Sequence, residues 1–438
     1  MIEKPNLDWL LAYRSKEPHF GLERMEALLA LRSNPHLQVP VIHVTGTNGK
    51  GSTIAHLRQL LSAMGLYVGV FSSPYLVTYT EQFQIDGKNM PQEVLQAYLA
   101  SYQELLAAEQ GNSSLLGLTE FEIVTALAYE YFAQEQVDVA LIEVGMGGRL
   151  DSTNVCQPVL TAITTIGLDH TQLLGDTLAD IAYQKAGIIK PGVPILIGKL
   201  PAEALEVIVA EASRQQSPLT RLGQDFQAQY LGSLPEGERF AFESRLRESV
   251  TLVTPLLGQH QVDNAALAIQ LADSFAEKRG LPLLTEKQLQ AALSRTIWPG
   301  RLEVISQEPL VLLDGAHNPH AVAPLVQTLE QRYAGYDKTI LFSCIQTKAL
   351  EEMLDLLSQL PQSRLTLTSF EDSRAVSMTR MAQLAQERGV EIAAWQAFLK
   401  DYMKEKKEPN QVLIITGSLY FLSQVRDYLW KGRENGQE

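Results

Sequence analysis

Residues 41–53, VIHVTGTNGKGST, constrain this chain more than any other stretch. A short apolar run breaks at Gly46 and turns through Thr47, Asn48, Gly49, Lys50 and Gly51. It then continues with Leu57, Leu60, Leu61 and Met64 at helical spacing. A strand that opens into a glycine turn and then a helix aims backbone N–H groups at one point, and the helix N-terminus adds its positive dipole end. Lys50 supplies a mobile cation for the outer phosphates of a nucleotide. The ordinary phosphate loop reads G-x-x-x-x-G-K-[ST]. Here the first glycine lies three residues before Gly49 rather than five, and Gly51 stands where the Mg²⁺-holding hydroxyl belongs. That hydroxyl is displaced to Ser52 or Thr53, so further magnesium ligands have to come from elsewhere. The alternative is a strand–helix turn that binds nothing.

A chain of 438 residues is too long for one ordinary core, so two domains are expected. We divide it at 1–298 and 299–438, because Trp298-Pro299-Gly300-Arg301 interrupts two regular regions. Charged residues make up 20%, and the net charge of −14 excludes a general nucleic-acid binder with a basic stripe. The two cysteines, Cys156 and Cys344, form no metal or redox pattern and suit a reducing compartment. No signal peptide is apparent, and no apolar run approaches the ~18 residues of a membrane span. A cytoplasmic protein without a membrane partner is expected.

Taken in order, residues 6–31 read as two short helices around a polar turn at 16–20. A strand at 68–71 ends at Ser72-Ser73-Pro74, and an irregular polar stretch follows to Pro91. Helices are expected at 93–108 and 119–134, the second with Thr119 and Glu122 as a capping box. Buried strands at 137–144 and 159–166 precede a helix at 178–186 and a strand at 194–197. Residues 224–254 alternate like antiparallel β, and helices at 261–277 and 285–294 close the first unit. The second unit carries strands at 310–313, 339–342, 364–368 and 411–415, a helix at 420–430 and a frayed tail at 431–438. The fold class is therefore α/β: an N-terminal phosphate-loop domain with a mainly parallel sheet and a small β region, then a smaller Rossmann-like α/β domain.

Ligands gather at the carboxyl ends of parallel strands. Ser73, Glu143 and the Asp169-His170 pair fall at such ends and supply the oxygen and nitrogen ligands that Gly51 does not. Each also has an ordinary reading: turn chemistry for Ser73, a cap or solvated strand end for Glu143, a hydrogen-bonded histidine for His170. Lys185 has no special role by spacing alone. Asp314 and His317 open the second unit at the mouth of its sheet, where closure over the first would exclude water.

Eight segments, in order along nearly the whole chain, resemble the folylpolyglutamate synthase and dihydrofolate synthase family of the Mur ligase superfamily. They are GTNGKGS at 46–52, SSPYL at 72–76, EVGMGGRLDSTNV at 143–155, IGLDHTQLLGDT at 166–177, KAGIIKPG at 185–192, PGRLE at 299–303, LDGAHNP at 313–319 and ITGSLYF at 415–421. The resemblance implies an ATP-dependent ligase that joins L-glutamate to a folate or dihydropteroate through an acyl phosphate, acting as a monomer. It implies that Thr47, Asn48, Gly49, Lys50, Gly51, Ser52, Asn264, Arg301 and Asp314 bind ATP. It implies Ser73, Glu143 and His170 as ligands of one or two Mg²⁺ ions, and Lys50, Lys185 and His317 as catalytic groups, Lys185 bearing a carbamate. Pro74, Tyr75, Gln82, Arg149, Asp151 and Ser418 are implied on the substrate side.

The chain departs from the family where Thr80-Glu81-Gln82 replaces a common Asn-Glu-Arg, where Gln184 precedes Lys185 in place of a glutamate, and at Gln346-Thr347-Lys348. Losing the arginine removes a bidentate carboxylate partner and bears on substrate preference. A ligase acting on another carboxylate, or a nucleotide-binding scaffold without catalysis, are the competing readings. The first would usually carry threonine in place of Gly51.

Overall fold

The computed structural model describes residues 5–14, 21–347, 349–405 and 408–434. The expected turn at 16–20 and Lys348 lie outside these. Eight strands form the first sheet: β1 (Val41–Thr45), β2 (Val68–Phe71), β3 (Phe83–Ile85), β4 (Lys88–Asn89), β5 (Val139–Glu143), β6 (Pro158–Ile163), β7 (Ile195–Ile197) and β8 (Leu219–Arg221). Their order is β4-β3-β2-β5-β1-β6-β7-β8. From β2 to β8 every pair is parallel, while the β2–β3 and β3–β4 pairs are antiparallel. The central β1 and β5 are buried along their whole length, as a parallel sheet covered on both faces requires.

On one face the helix Lys50–Ala63 packs Leu57, Leu60 and Leu61 against Ala265, Leu267 and Leu271 of the helix Gln259–Arg279. On the other, the helices Gln92–Ala108 and Glu120–Gln134 bury Leu95, Leu99, Tyr102, Tyr129 and Phe132. The expected capping box is present, with Thr119 accepting from the Glu122 amide. The chain leaves β1 toward β2 on one side and β6 toward β7 on the other. The loops after β1, β5 and β6 therefore open into a crevice at a topological switch point.

Three antiparallel strands, β9 (Phe226–Leu234), β10 (Gly237–Ser244) and β11 (Arg247–Thr254), make the small sheet expected at 224–254. The remaining strands are β12 (Glu303–Gln307), β13 (Leu310–Asp314), β14 (Asp337–Phe342), β15 (Ser363–Leu367), β16 (Glu391–Ile392) and β17 (Gln411–Thr416), in the order β12-β13-β17-β14-β15-β16. All but the β12–β13 pair are parallel.

The irregular stretch expected up to Pro91 is instead a capped turn, Tyr79–Gln82, followed by the β3–β4 hairpin. Asp86 (φ 46°) and Gly87 (φ 76°) form its two-residue loop, the left-handed pair that lets two strands reverse with their natural twist. Strands of three and two residues are too short to show a period. For the same reason β8 and β16 carried no expectation; nor did the five-residue β12 or the helix Ala202–Arg214. The last helix, Leu419–Glu434, runs into the segment expected to fray.

Candidate active site

The crevice begins at the phosphate loop. Gly49 has φ 86° at the N-cap of the helix Lys50–Ala63, a conformation that favours glycine. The loop is tied to the neighbouring strand ends by threonines. Thr45 Oγ1 donates to Gly147 O at 2.7 Å, Thr47 Oγ1 to Gly167 O at 3.1 Å, and Thr165 Oγ1 to Asn48 O at 3.0 Å. Three loops are thus fixed to one another before any ligand arrives.

The missing hydroxyl at Gly51 has a steric cause that sequence did not reveal. A Cβ there would lie 2.4 Å from Cζ2 and 2.6 Å from Nε1 of the Trp298 indole. The residue just ahead of the linker therefore occupies the space of the usual P-loop side chain.

Lys50, Glu143, Lys185, Ser73, His170, Arg301 and His317 all line the same cleft. Lys50 donates to Gly46 O at 3.0 Å, and its Nζ stands 4.0 Å from Glu143 Oε1. Glu143 is 5% exposed. Burial pushes its pKa up to about 7 against the opposing pull of Lys50, Arg301 and the Ser73 N–H. Lys185 is 3% exposed. Burial and then Lys50 lower its pKa to about 7, with Asp169 and Asp151 opposing. Its amine has no hydrogen-bond acceptor among the described residues. His170 sits at φ 51°, with a pKa lowered by desolvation at the cleft wall, then by Lys50 and Lys185 against Asp169.

An adjoining cleft takes Asn264, Asp314, His260, Gln261 and Lys199, and shares Asn48, Gly49, Ser52, Arg301 and His317 with the first. Asp314 accepts from the amides of Leu302 and Ala316, both at 2.9 Å. Burial raises its pKa, and Arg301 and those two amides oppose. His317 Nδ1 lies 2.8 Å from Gly315 O, a pure acceptor, so Nδ1 carries the proton and Nε2 keeps a lone pair. Burial lowers the His317 pKa.

Pro74 follows a cis peptide and lines the first cleft. Five expected substrate-side residues line neither cleft: Tyr75, Gln82, Arg149, Asp151 and Ser418. Gln82 is buried and donates to Tyr79 O at 3.4 Å. Arg149 stacks its guanidinium 4.0 Å over the Tyr183 ring. Asp151 caps the Ser152–Val155 turn through Thr153 and accepts from the Met146 amide at 2.8 Å. Ser418 is buried, its Oγ accepting from the Tyr420 amide at 3.2 Å. In the other direction, Trp298, His260, Lys199 and Asn318 reach the clefts or the loop without having been assigned a site role.

Among the described residues no group of three or more His, Cys, Asp or Glu could hold a metal alone. A Ser–Glu–His set completed by phosphate oxygens and water suits a hard ion such as Mg²⁺, and the buried, sparsely bonded Glu143 carboxylate fits it. A carbamate needs a neutral amine with room for an anion. The unpartnered Lys185 amine, titrating near neutrality, fits that also.

Comparison with known proteins places most of the chain. The Mur ligase middle domain family matches residues 44–272, and the Mur ligase glutamate ligase domain family matches residues 300–419. The chain is 38% identical over 417 residues to the dihydrofolate synthase/folylpolyglutamate synthase of Bacillus subtilis, covering 93% of this chain and 95% of that one. It is 38% identical over 416 residues to the folylpolyglutamate synthase of Lacticaseibacillus casei, covering 94% of each. A solved folylpolyglutamate synthase in complex with AMPPCP and folate superposes with a TM-score of 0.86 at 35% identity, over 98% of this chain and 100% of that one.

Proposed function

The chain belongs to the folylpolyglutamate synthase/dihydrofolate synthase family, and from that premise we propose that it ligates L-glutamate to a folate at the expense of ATP. The observation that carries the reading is the meeting of Lys50, Glu143 and Lys185 at one cleft that also receives Arg301 and His317 from the linker and the second sheet. Residues 1–298 act as the ATP-binding unit and 299–438 as the glutamate-ligating unit.

The folate or dihydropteroate carboxylate attacks the γ-phosphorus, the bond to the β-phosphate oxygen breaks, and ADP leaves. Such a transfer needs positioning and charge neutralisation rather than covalent help. The loop amides and Lys50 hold the phosphates; Asn264, Arg301 and Asp314 hold the rest of the nucleotide. Ser73, Glu143 and His170 would hold Mg²⁺, which supplies charge neutralisation on the phosphate oxygens when bound. A carbamate on Lys185 would turn a cation into an anion facing that ion. The glutamate amino group then attacks the acyl phosphate carbonyl. His317 Nε2, neutral and with its lone pair free, takes a proton from the attacking amine, and phosphate leaves. The protein works in the cytoplasm as a monomer.

Phosphate release with Mg-ATP and L-glutamate tests this, with dihydropteroate in one assay and tetrahydrofolate in the other. Release with both marks a bifunctional enzyme, and release with tetrahydrofolate alone a polyglutamylating one. No release from either, with ATP still bound, overturns the reading.

A further inference from the structure

Among the described residues, Asn318 reaches from the second sheet's side to hydrogen-bond the phosphate loop. Asn318 is 3% exposed and caps the helix Pro319–Arg332. Its Oδ1 accepts from the Ala321 amide at 2.8 Å and from Asn48 Nδ2 at 3.1 Å. Its Nδ2 donates to Asp169 Oδ2 at 2.8 Å and to Asn48 Oδ1 at 3.3 Å. A backbone N–H requires an acceptor and a carboxylate requires a donor, so the amide can face only one way. Four bonds exhaust its capacity, and no other side chain of this size offers two donors and two acceptors at those points.

What those bonds connect gives them meaning. Asn48 lies in the phosphate loop after β1, its backbone N–H donating to Thr165 Oγ1 at 3.0 Å. Only its side chain is turned to the second sheet. Asp169 lies in the loop after β6, where its other oxygen accepts from the His170 amide at 2.8 Å. One asparagine thus clasps two loops of the first sheet. Resting on the function proposed above, we infer that Asn318 is a positioning residue: its amide sets the phosphate loop against the Asp169 loop once the second sheet is docked. Reaction geometry of this kind is sensitive to shifts of an ångström or less.

Asn318→Asp isolates the claim. Aspartate caps a helix as well as asparagine does, so the bond from Ala321 survives. Both donors are lost, and a carboxylate is set against that of Asp169. Asp169→Asn in the same chain returns a donor to the pair and removes the repulsion. The wild type, the two single variants and the double variant of the full chain are compared for AMPPCP affinity in the presence of Mg²⁺, for kcat/KM of phosphate release, and for Tm.

The inference expects Asn318→Asp to weaken AMPPCP binding and kcat/KM by about 30-fold, the scale of a lost charge-assisted bond, with a Tm lowered by the facing carboxylates, restored by Asp169→Asn, and still well above the assay temperature. The double variant should return to within about threefold of Asp169→Asn alone, since coupled neighbours are non-additive. A double variant whose loss is the product of the two single losses overturns the inference, as does an Asn318→Asp variant that binds and turns over like the wild type. Absence of phosphate release from the wild type would count against the function proposed, while the AMPPCP cycle would still judge the clasp.

Discussion

Glu143 and Asp314 are the same kind of residue at the same kind of place, yet their surroundings differ. Each is a buried carboxylate at the carboxyl end of a parallel strand, and burial raises the pKa of each. Asp314 is already spoken for by two backbone amides, which hold the turns at Leu302 and Ala316. Glu143 has the Ser73 N–H and a lysine at 4.0 Å. A satisfied buried carboxylate is a corner of the structure; an under-satisfied one still has lone pairs to offer. Lys50, Glu143 and Lys185 thus reach the cleft from the first sheet's side, and Arg301 and His317 from the linker and the second.

The contrast can be broken at its strongest point first. Lys50→Ala removes the cation that stands 4.0 Å from Glu143 in the phosphate loop. We expect kcat/KM to fall by on the order of 10³ with Tm unchanged, measured by phosphate release and calorimetry. Full activity in that variant would remove Lys50 from the site.

Glu143→Gln should cost about 10² in kcat/KM and leave the protein as stable as before or more so. The sign follows from its raised pKa. Between pH 4.5 and about 7 the folded state binds more protons than the unfolded one, so stability falls as pH rises through that window. The penalty is absent below it and complete above it, on the order of 3 kcal/mol. A Tm profile that falls across this window in the wild type and flattens in Glu143→Gln supports the assignment; identical profiles refute it.

Asp314→Asn should reverse the pattern, because an amide oxygen can serve only one of the two turns. We expect a loss of about 1–3 kcal/mol in denaturant unfolding and a smaller loss of activity than at Glu143. A variant as stable as the wild type would show that the two amide bonds do not hold these turns and leave Asp314 its nucleotide contact alone.

Lys185 gives the smallest and most conditional effect. Its amine is neutral above about pH 7, so bicarbonate should raise activity above that pH and not below it, by a factor of a few. Equal stimulation at pH 6 and pH 8 would argue against a carbamate.

How far the sequence reached depends on distance along the chain. The phosphate loop, the buried strands and the positions of Glu143 and His170 follow from local patterns: a glycine turn, an apolar run, a polar residue where the run stops. Gln82, Asp151 and Ser418 look the same in sequence, yet each is consumed by its own turn, and only hydrogen-bond accounting separates them from true cleft residues. The clasp at Asn318 joins positions 270 and 149 residues apart, which no local period encodes. Its local half, an asparagine capping a helix ahead of Pro319, is ordinary helix-start chemistry that carried no expectation of a second role. Elements of two or three residues, such as β4, β8 and β16, escaped because they are held by neighbours and not by their own sequence.

The indole of Trp298 against Gly51 also limits the histories open to this family member. A serine at position 51, the residue that ordinary phosphate loops carry, meets the indole unless the ring swings aside or is replaced. A smaller residue at 298 would admit it and leave a hole beside the loop. Positions 51 and 298 are therefore coupled in space: what one can carry depends on the size of the other.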